Sequence, residues 1–259
     1  MRILNWEAIL WDCLEKIKEI PSESIDMIIT SPPYDNLRTY GWNLQWDFEG
    51  ITKELYRVTK EWWVCVWIVW DATVKWSETW TSFKQALYFK DIGFNLHDTM
   101  IWNKWNFTAV WALKLSYAPV FEYMFIFSKW KLKTFNPIKD RVNKSFWRKT
   151  HWTIRQKDWT TKPISKIGVA IPEYGQRHNI WECIPEKRNT HRLHPAMFPE
   201  KLITDHILSW SNEWDMILDP FAWSFTTAVA CENTNRKWIC IEKEQEYYDI
   251  WINRIISLP

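Results

Sequence analysis

Glycine is scarce in this chain, and tryptophan stands where glycine is expected. The 259 residues include only 5 glycines, whereas an ordinary soluble protein of this length holds about 18. Tryptophan occurs 23 times, and several copies fall at predicted turns: Trp62-Trp63 before a strand, Trp130 after a strand, and Trp223 between a strand and a helix. Tryptophan adopts positive φ only with strain, whereas glycine adopts it freely.

We therefore hypothesise that many of these tryptophans are glycines of the natural protein. Some bacterial lineages and their viruses read the codon UGA as glycine, so translation with the wrong genetic code writes tryptophan at those positions. The alternative is a protein that is truly rich in tryptophan. The gene distinguishes the two, because UGG codons at Trp11, Trp63 and Trp223 would contradict recoding.

The chain also lacks long apolar runs and paired cysteines. No run of about 20 apolar residues is present to span a bilayer, and the first residues lack the apolar stretch of a signal peptide. We therefore expect a cytoplasmic protein without a membrane partner. The five cysteines are scattered with no Cys-x-x-Cys pair, which argues against a zinc ribbon or a disulfide framework. His191 and His194 are half of a metal site at most, because no second ligand pair follows, so no metal is expected.

The apolar pattern alternates between short buried runs and helical spacing. This alternation predicts an α/β protein with a doubly wound, mostly parallel sheet. Residues 25–30 form a near-continuous run of β-branched side chains, which is typical of a parallel strand buried on both faces. Strands are predicted at residues 9–10, 25–30, 64–69, 95–102, 119–128, 216–218 and 238–241, and helices at 14–20, 51–59, 81–90, 199–210, 226–232 and 245–256.

Residues 129–168 break this rhythm and are strongly basic. They hold twelve Lys or Arg residues against Asp140 and Asp158, so this segment carries +10 while the rest of the chain carries −8. Such asymmetry is typical of a surface that binds a polyanion. Phe135, Phe146 and Trp147 lie among the cations and supply stacking groups, which favours a nucleic-acid surface over a merely solvated basic loop.

A Ser-Pro-Pro-Tyr motif follows the buried strand 25–30. Ligands of open α/β sheets bind at the carboxyl ends of the strands, which is where this motif falls. The exocyclic amine of cytosine or adenine is a poor nucleophile, and a hydroxyl with a rigid carbonyl can accept its hydrogens. An aromatic ring can stack on a base turned out of the duplex. We therefore take Ser31, Pro32, Pro33 and Tyr34 as candidate catalytic residues, against the simpler reading of a Pro-Pro turn.

A second motif lies near the C-terminus, between a strand and a helix. A tight loop at this point directs amide groups at an anionic or polar ligand. Glu242 follows Asp219 by 23 residues, at the end of the next strand, and an acid at about that distance binds ribose hydroxyls in nucleoside-binding α/β folds. The alternative is a generic βαβ unit. The loop is Asp219-Pro220-Phe221-Ala222-Trp223-Ser224-Phe225-Thr226-Thr227.

Taken together, the two motifs resemble those of the β-type amino-methyltransferases of restriction–modification systems and viruses. The first matches that family's (Ser/Asp/Asn)-Pro-Pro-(Tyr/Phe) motif, and the second is similar to Asp-Pro-Phe-Ala-Gly-Ser-Gly-Thr-Thr. Trp223 and Phe225 depart from it at the two glycines; recoding accounts for the tryptophan but not for the phenylalanine. The resemblance spans nearly the whole chain.

This resemblance implies a Rossmann-like methyltransferase fold with a seven-stranded sheet and a circularly permuted motif order. It implies S-adenosylmethionine as cofactor, double-stranded DNA as partner, and direct methyl transfer without a covalent enzyme intermediate. Residues 1–128 would form the catalytic half, 129–190 a target-recognition insertion, and 191–259 the cofactor-binding half. The oligomeric state, monomer or homodimer, stays open.

The resemblance also assigns roles to residues of the cofactor site. Asp12 is similar to the acid that contacts the adenine amino group, Glu242 to the acid that binds the ribose hydroxyls, and residues 194–202 to the segment that lines the methionine end. The cofactor loop contributes Asp219, Pro220, Phe221, Ala222, Ser224 and Thr226.

The target base has two candidates. Serine at the first motif position favours cytosine N4 in this family, whereas Asp or Asn favours adenine N6. Two rival functions also remain: a methyltransferase of RNA or of protein amides, and a DNA-binding relic in which Trp223 blocks the cofactor.

Overall fold

The computed structural model describes residues 7–33, 46–105, 116–185 and 198–256. The chain divides into two compact units, one formed by Met1–Asn136 with Asn179–Pro259 and the other by Pro137–His178. In chain order the strands are β1 (Glu7–Leu10), β2 (Ile25–Thr30), β3 (Thr59–Val69), β4 (Thr73–Val74), β5 (Ser77–Glu78), β6 (Asn95–Asn103), β7 (Phe121–Ser128), β8 (Arg141–Val142), β9 (Thr153–Arg155), β10 (Thr161–Pro163), β11 (Tyr174–Gly175), β12 (Ile180–Glu182), β13 (Met216–Asp219) and β14 (Lys237–Glu242).

Six helices connect these strands within the described residues. Asp12 and Asp47 begin the first two by accepting hydrogen bonds from backbone N–H groups of the first turn, which satisfies donors that otherwise lack a partner. The helices are α1 (Cys13–Glu19), α2 (Phe48–Val58), α3 (Thr81–Asp91), α4 (Glu200–Trp210), α5 (Thr226–Glu232) and α6 (Gln245–Ile256). None of the described helices is long and apolar enough to cross a membrane.

An eight-stranded sheet organises the larger unit, in the order β1-β14-β13-β2-β3-β7-β6-β12. All neighbours run parallel except at β7, which pairs antiparallel with both β3 and β6. The predicted α/β fold with a mostly parallel sheet is therefore confirmed. The sheet has one strand more than the predicted seven, because the three-residue edge strand β12 adds to β6.

The core lies where helices cover the middle of this sheet. Every residue of β2 is buried, as the near-continuous β-branched run predicts. Trp67 and Phe89 lie with ring centroids 5.0 Å apart, and Phe89 stacks on Phe127 at 4.4 Å. Aromatic pairs of this kind add about 1 kcal/mol each to the burial of their area. This packing holds α3 against β3 and β7.

The smaller unit, Pro137–His178, contains two antiparallel ribbons, β8 with β11 and β9 with β10. Every residue of β8, β9 and β10 is exposed. The unit therefore presents most of its side chains to solvent, including the cations that the sequence concentrates there.

The backbone separates the tryptophans into two groups. Eight of the twelve described non-glycine residues with positive φ are tryptophan, and most of these eight have exposed side chains. Trp67 and Trp238 instead lie in strands, and their side chains are fully buried. Trp62 falls inside β3 rather than in a turn before it, at φ 75°. The eight are Trp62, Trp76, Trp80, Trp105, Trp130, Trp159, Trp214 and Trp223.

This division sharpens the recoding hypothesis. Positive φ strains an L-residue by about 1–2 kcal/mol, whereas glycine bears no such strain. Under recoding, the gene carries UGA at the eight positive-φ positions and UGG at Trp67 and Trp238. UGG at most of the eight would contradict the hypothesis.

Substitution of an exposed positive-φ tryptophan by glycine is expected to stabilise the protein. For Trp76→Gly and Trp214→Gly, whose φ angles are 68° and 69°, we expect a gain of about 1 kcal/mol each. The matched control is Trp238→Gly, which empties a buried site and is expected to cost more than about 3 kcal/mol. Urea unfolding of the three variants measures these differences. A loss of stability in both exposed variants would show that the tryptophans contribute packing at these turns.

Candidate active site

Four neighbouring parallel strands end side by side, and the predicted site residues follow those ends. Asp12 lies two residues after β1, Glu242 ends β14, Asp219 ends β13, and Ser31 directly follows β2. Because these strands are parallel, their carboxyl ends meet at one edge of the sheet. The two sequence motifs, almost 190 residues apart in the chain, therefore come together in space.

Asp219 joins the two loops from beneath. Its Oδ1 accepts a hydrogen bond from the hydroxyl of Thr30 at 2.7 Å, and its Oδ2 accepts one from Thr227 at 2.6 Å. The backbone N–H of Phe221 donates to Oδ1 at 3.2 Å. Burial raises the pKa of Asp219 to about 6, although the two hydroxyls stabilise its ionised form. Asp219 therefore links the end of β2, which precedes the Ser-Pro-Pro loop, to the cofactor loop.

Glu242 holds the other side of the cofactor loop. Its Oε2 accepts the backbone N–H of Trp223 at 2.9 Å, and its Oε1 accepts that of Glu244 at 2.9 Å. Burial raises the pKa of Glu242 to about 7, and the backbone donors offset only part of this effect. A buried carboxyl at the end of a strand beside a pocket matches the chemistry needed to bind ribose hydroxyls.

The indole of Trp223 spans the gap between the cofactor loop and the Ser-Pro-Pro loop. Its Nε1 donates a hydrogen bond to the carbonyl oxygen of Ser31 at 2.9 Å, and its backbone has φ 47°. The cofactor loop and the Ser-Pro-Pro loop are thus separated by a gap that the single Trp223 side chain bridges. A glycine at this position would leave that gap open.

A pocket of about 240 Å³ lies beside this gap. Its walls combine acids with apolar side chains, as an adenosine-like ligand requires. Asp12 lines the pocket while its Oδ1 caps α1, and its Oδ2 lies 3.3 Å from Nζ of Lys243. The walls include Asp12, Pro33, Trp46, Phe221, Trp223 and Glu242.

Of the other predicted site residues, some line the pocket, some are buried without lining it, and some lie outside the described residues. Pro220 and Phe221 line the pocket. Ala222, Ser224 and Thr226 are buried and do not line it, and the hydroxyls of Ser224 and Thr226 are 2.9 Å apart. Tyr34, His191 and His194 lie outside the described residues. Within the described part of the chain, no group of three or more His, Cys, Asp or Glu is placed to hold a metal.

Sequence reasoning missed two groups of residues at this site. Thr30 was not assigned a role, because nothing local shows that its hydroxyl meets Asp219. Trp46, two residues before α2, and Tyr247 of α6 also line the pocket. The signal for Tyr247 was present, since it falls in the first turn of the helix that follows Glu242.

The raised pKa of Glu242 predicts a pH dependence of stability. A carboxyl group with a higher pKa in the folded than in the unfolded protein binds its proton more tightly when folded. The contribution of Glu242 is therefore present below its unfolded pKa of about 4.5 and lost as the pH rises through about 7. We expect a loss of about 3 kcal/mol across this range.

The variant Glu242→Gln is expected to lose this part of the pH dependence and to retain the part that Asp219 contributes. Urea unfolding at pH 5 and pH 8 measures both. An unchanged difference between the two pH values in the variant would contradict the assignment of the effect to Glu242.

The sheet and its edge define the class of protein. A mostly parallel sheet with one antiparallel strand, a cofactor-type loop after β13 and a Ser-Pro-Pro loop after β2 describe a methyltransferase that uses S-adenosylmethionine. Glu242 and the pocket beside it fit this cofactor.

The comparisons with known proteins give the family. A family model described as DNA methylase matches residues 25–253. The orphan methyltransferase M.BamHII of Bacillus amyloliquefaciens is 49% identical over 240 residues, which cover 90% of this chain and 89% of that protein. The DNA adenine methyltransferase YhdJ of Escherichia coli (strain K12) is 26% identical over 264 residues, or 94% and 80% of the two chains.

Solved structures share the fold. The cytosine-N4-specific PvuII DNA methyltransferase superposes with a TM-score of 0.71 at 21% identity, covering 98% of this chain and 87% of that chain. The complex of M1.HpyAVI with S-adenosylmethionine gives 0.64 at 20% identity, covering 96% and 98%. The chain belongs to the DNA methylase family of N4-cytosine and N6-adenine methyltransferases, and it is an S-adenosylmethionine-dependent enzyme.

Proposed function

We propose that this enzyme transfers a methyl group to the N4 amine of cytosine in specific sites of duplex DNA, after the base turns out of the helix. The observation that carries the proposal is the 2.9 Å hydrogen bond between the Trp223 indole and the Ser31 carbonyl. It brings the cofactor loop and the acceptor loop within one side chain of each other. Direct transfer between two bound molecules requires this closeness.

The acceptor loop supplies the groups that an amine needs. The Ser31 hydroxyl and the Pro32 carbonyl accept the amino hydrogens and favour a nitrogen whose lone pair is available for attack. The ring of Tyr34 stacks on the base. Asp219 acts on this loop only as a positioning residue, through Thr30, which directly precedes Ser31.

The cofactor loop holds the donor. S-adenosylmethionine supplies the sulfonium methyl group when it is bound. Glu242 would accept hydrogen bonds from its ribose hydroxyls and Asp12 would contact its adenine, and both line the pocket together with Phe221. The Pro137–His178 unit, with ten Lys or Arg residues against three acids, is the target-recognition region.

The choice of cytosine rests on Ser31 alone. Both specificities occur among the proteins similar to this chain, since the PvuII methyltransferase is cytosine-N4-specific and YhdJ is a DNA adenine methyltransferase. Methylation of DNA with labelled cofactor, followed by digestion to nucleosides, tests the base. We expect the label in N4-methylcytosine, and label in N6-methyladenine alone would overturn the choice.

One observation favours a second function for the chain as written. The Trp223 indole occupies the gap through which donor and acceptor must meet. With tryptophan at this position, the protein would bind DNA with strongly reduced methyl transfer. Titration of the cofactor into this chain and into the Trp223→Gly variant separates the two functions, because equal binding by both would mean that the indole is harmless.

A further inference from the structure

We propose that the β9–β10 ribbon is the element that enters the major groove of duplex DNA, and that its turn, Arg155 to Thr160, carries the contacts. This inference rests on the proposed function, and it assigns the DNA contact to one element of the basic unit. The ribbon pairs Thr161 with Arg155 and Pro163 with Thr153. Neither strand has a buried residue, so the ribbon adds no core to its own unit.

The turn of the ribbon is built to hold one shape. The backbone N–H of Gln156 donates to the carbonyl of Thr160 at 2.7 Å, and the N–H of Trp159 donates to the carbonyl of Gln156 at 3.1 Å. Trp159 takes φ 66°, as the last residue of such a turn requires. This pattern is a type I turn followed by a left-handed residue, and glycine normally occupies that position.

The side chain of Asp158 stabilises this turn through hydrogen bonds with Thr160. Its Oδ1 accepts hydrogen bonds from the hydroxyl of Thr160 at 2.7 Å and from its backbone N–H at 3.1 Å. These bonds lower the pKa of the Asp158 carboxyl. The Asp158 carboxylate therefore holds Thr160 in place at the end of the turn. A fixed turn loses little conformational entropy when it binds.

The cations of the ribbon are free to meet a polyanion. Arg155, Lys157 and Lys162 are all exposed, and none forms an ion pair with an acid of the described residues. The guanidinium of Arg155 lies 5.5 Å from the ring centroid of Trp159. Elsewhere in the unit, Arg177 is paired with Asp140. The ribbon thus presents three exposed cations without an ion pair among the described residues, while other exposed cations of the unit, such as Lys144, lie outside it.

The dimensions of the ribbon fit the major groove. Two strands lie about 4.8 Å apart, and the major groove of B-DNA, about 12 Å wide, admits such a ribbon. Gln156 lies between the two cations at the tip, and a glutamine amide can form two hydrogen bonds with adenine. We therefore assign base contact to Gln156 and phosphate contact to Arg155 and Lys157.

Salt-dependent DNA binding tests the phosphate contacts. The probe is a labelled 30-bp duplex of mixed sequence, titrated at several KCl concentrations, with Arg155→Ala and Lys157→Ala as variants. Each variant is expected to reduce the slope of log K against log salt by about one and the affinity by about fivefold. The matched control is Lys144→Ala, which removes one exposed cation of the same unit outside the ribbon. Equal losses in the control and the ribbon variants would overturn the proposal, as would unchanged slopes.

Sequence preference tests the base contact. Sites methylated in genomic DNA are sequenced for Trp223→Gly and for Trp223→Gly with Gln156→Ala. We expect relaxed preference at one or two positions, with about tenfold weaker discrimination there, and an unchanged salt slope. An identical set of sites would overturn the role of Gln156. The binding arm needs no methyl transfer, so a protein that binds through the ribbon without methylating DNA would refute only the proposed function.

Discussion

Replacement of Trp223 by glycine is expected to raise the affinity for S-adenosylmethionine by at least about 100-fold, which corresponds to about 2.7 kcal/mol. The indole spans the gap at the pocket and is held there by its hydrogen bond to Ser31. We expect cofactor binding to the protein with Trp223 to break this bond and move the ring. Its backbone conformation, at φ 47°, is one that glycine adopts without strain. Isothermal titration calorimetry measures both affinities.

The matched control for this experiment is Trp214→Gly. Trp214 also has positive φ, at 69°, but it precedes β13 and so lies at the opposite edge of the sheet. The control is expected to gain stability without any change in cofactor affinity. If the affinities of the protein with Trp223 and of Trp223→Gly for S-adenosylmethionine lie within threefold of each other, the indole does not obstruct the pocket.

Ser31→Ala in the Trp223→Gly background is expected to lower kcat by roughly 100-fold or more. The hydroxyl accepts a hydrogen from the amine in the transition state, and its loss leaves only the Pro32 carbonyl for this task. Ser31 does not line the cofactor pocket, so the affinity for S-adenosylmethionine should stay within about twofold. Steady-state methyl transfer and calorimetry together separate the two effects.

The matched control is Ser77→Ala, which removes an exposed hydroxyl whose hydrogen bond goes to the backbone of Glu78. It is expected to leave both kcat and cofactor affinity unchanged. A kcat within threefold of the background in Ser31→Ala would assign amine activation to the Pro32 carbonyl alone. A fall in cofactor affinity equal to the fall in kcat would show instead that Ser31 supports the pocket.

The elements that the sequence predicted best are those whose local pattern agrees with their environment. The β-branched run 25–30 predicted β2 to the residue, because both of its faces are buried. Helix α5 was predicted at its observed bounds, as was α6. The strand β12 was missed, since it has three residues, two of them exposed, and pairing with β6 rather than local pattern defines it.

At the site, the sequence predicted which residues take part better than it predicted the hydrogen bonds between them. Glu242 was expected from its distance after Asp219, and it lies at the pocket. Asp219 was predicted to bind the cofactor, and this stays a prediction; the structure adds that its carboxylate oxygens accept hydrogen bonds from Thr30 and Thr227. The bond from Asp219 to Thr30 joins residues 189 positions apart. Only the folded sheet brings such partners together, so no local pattern reveals them.

The most direct test is methyl transfer from labelled S-adenosylmethionine to duplex DNA by the protein with Trp223 and by Trp223→Gly, side by side. Our hypothesis is that an intact acceptor loop faces a cofactor loop that the Trp223 indole obstructs. It therefore predicts transfer by Trp223→Gly at a rate at least about 100-fold above that of the written chain, at a cofactor concentration well below saturation. Failure of the folded Trp223→Gly protein to label DNA would contradict it.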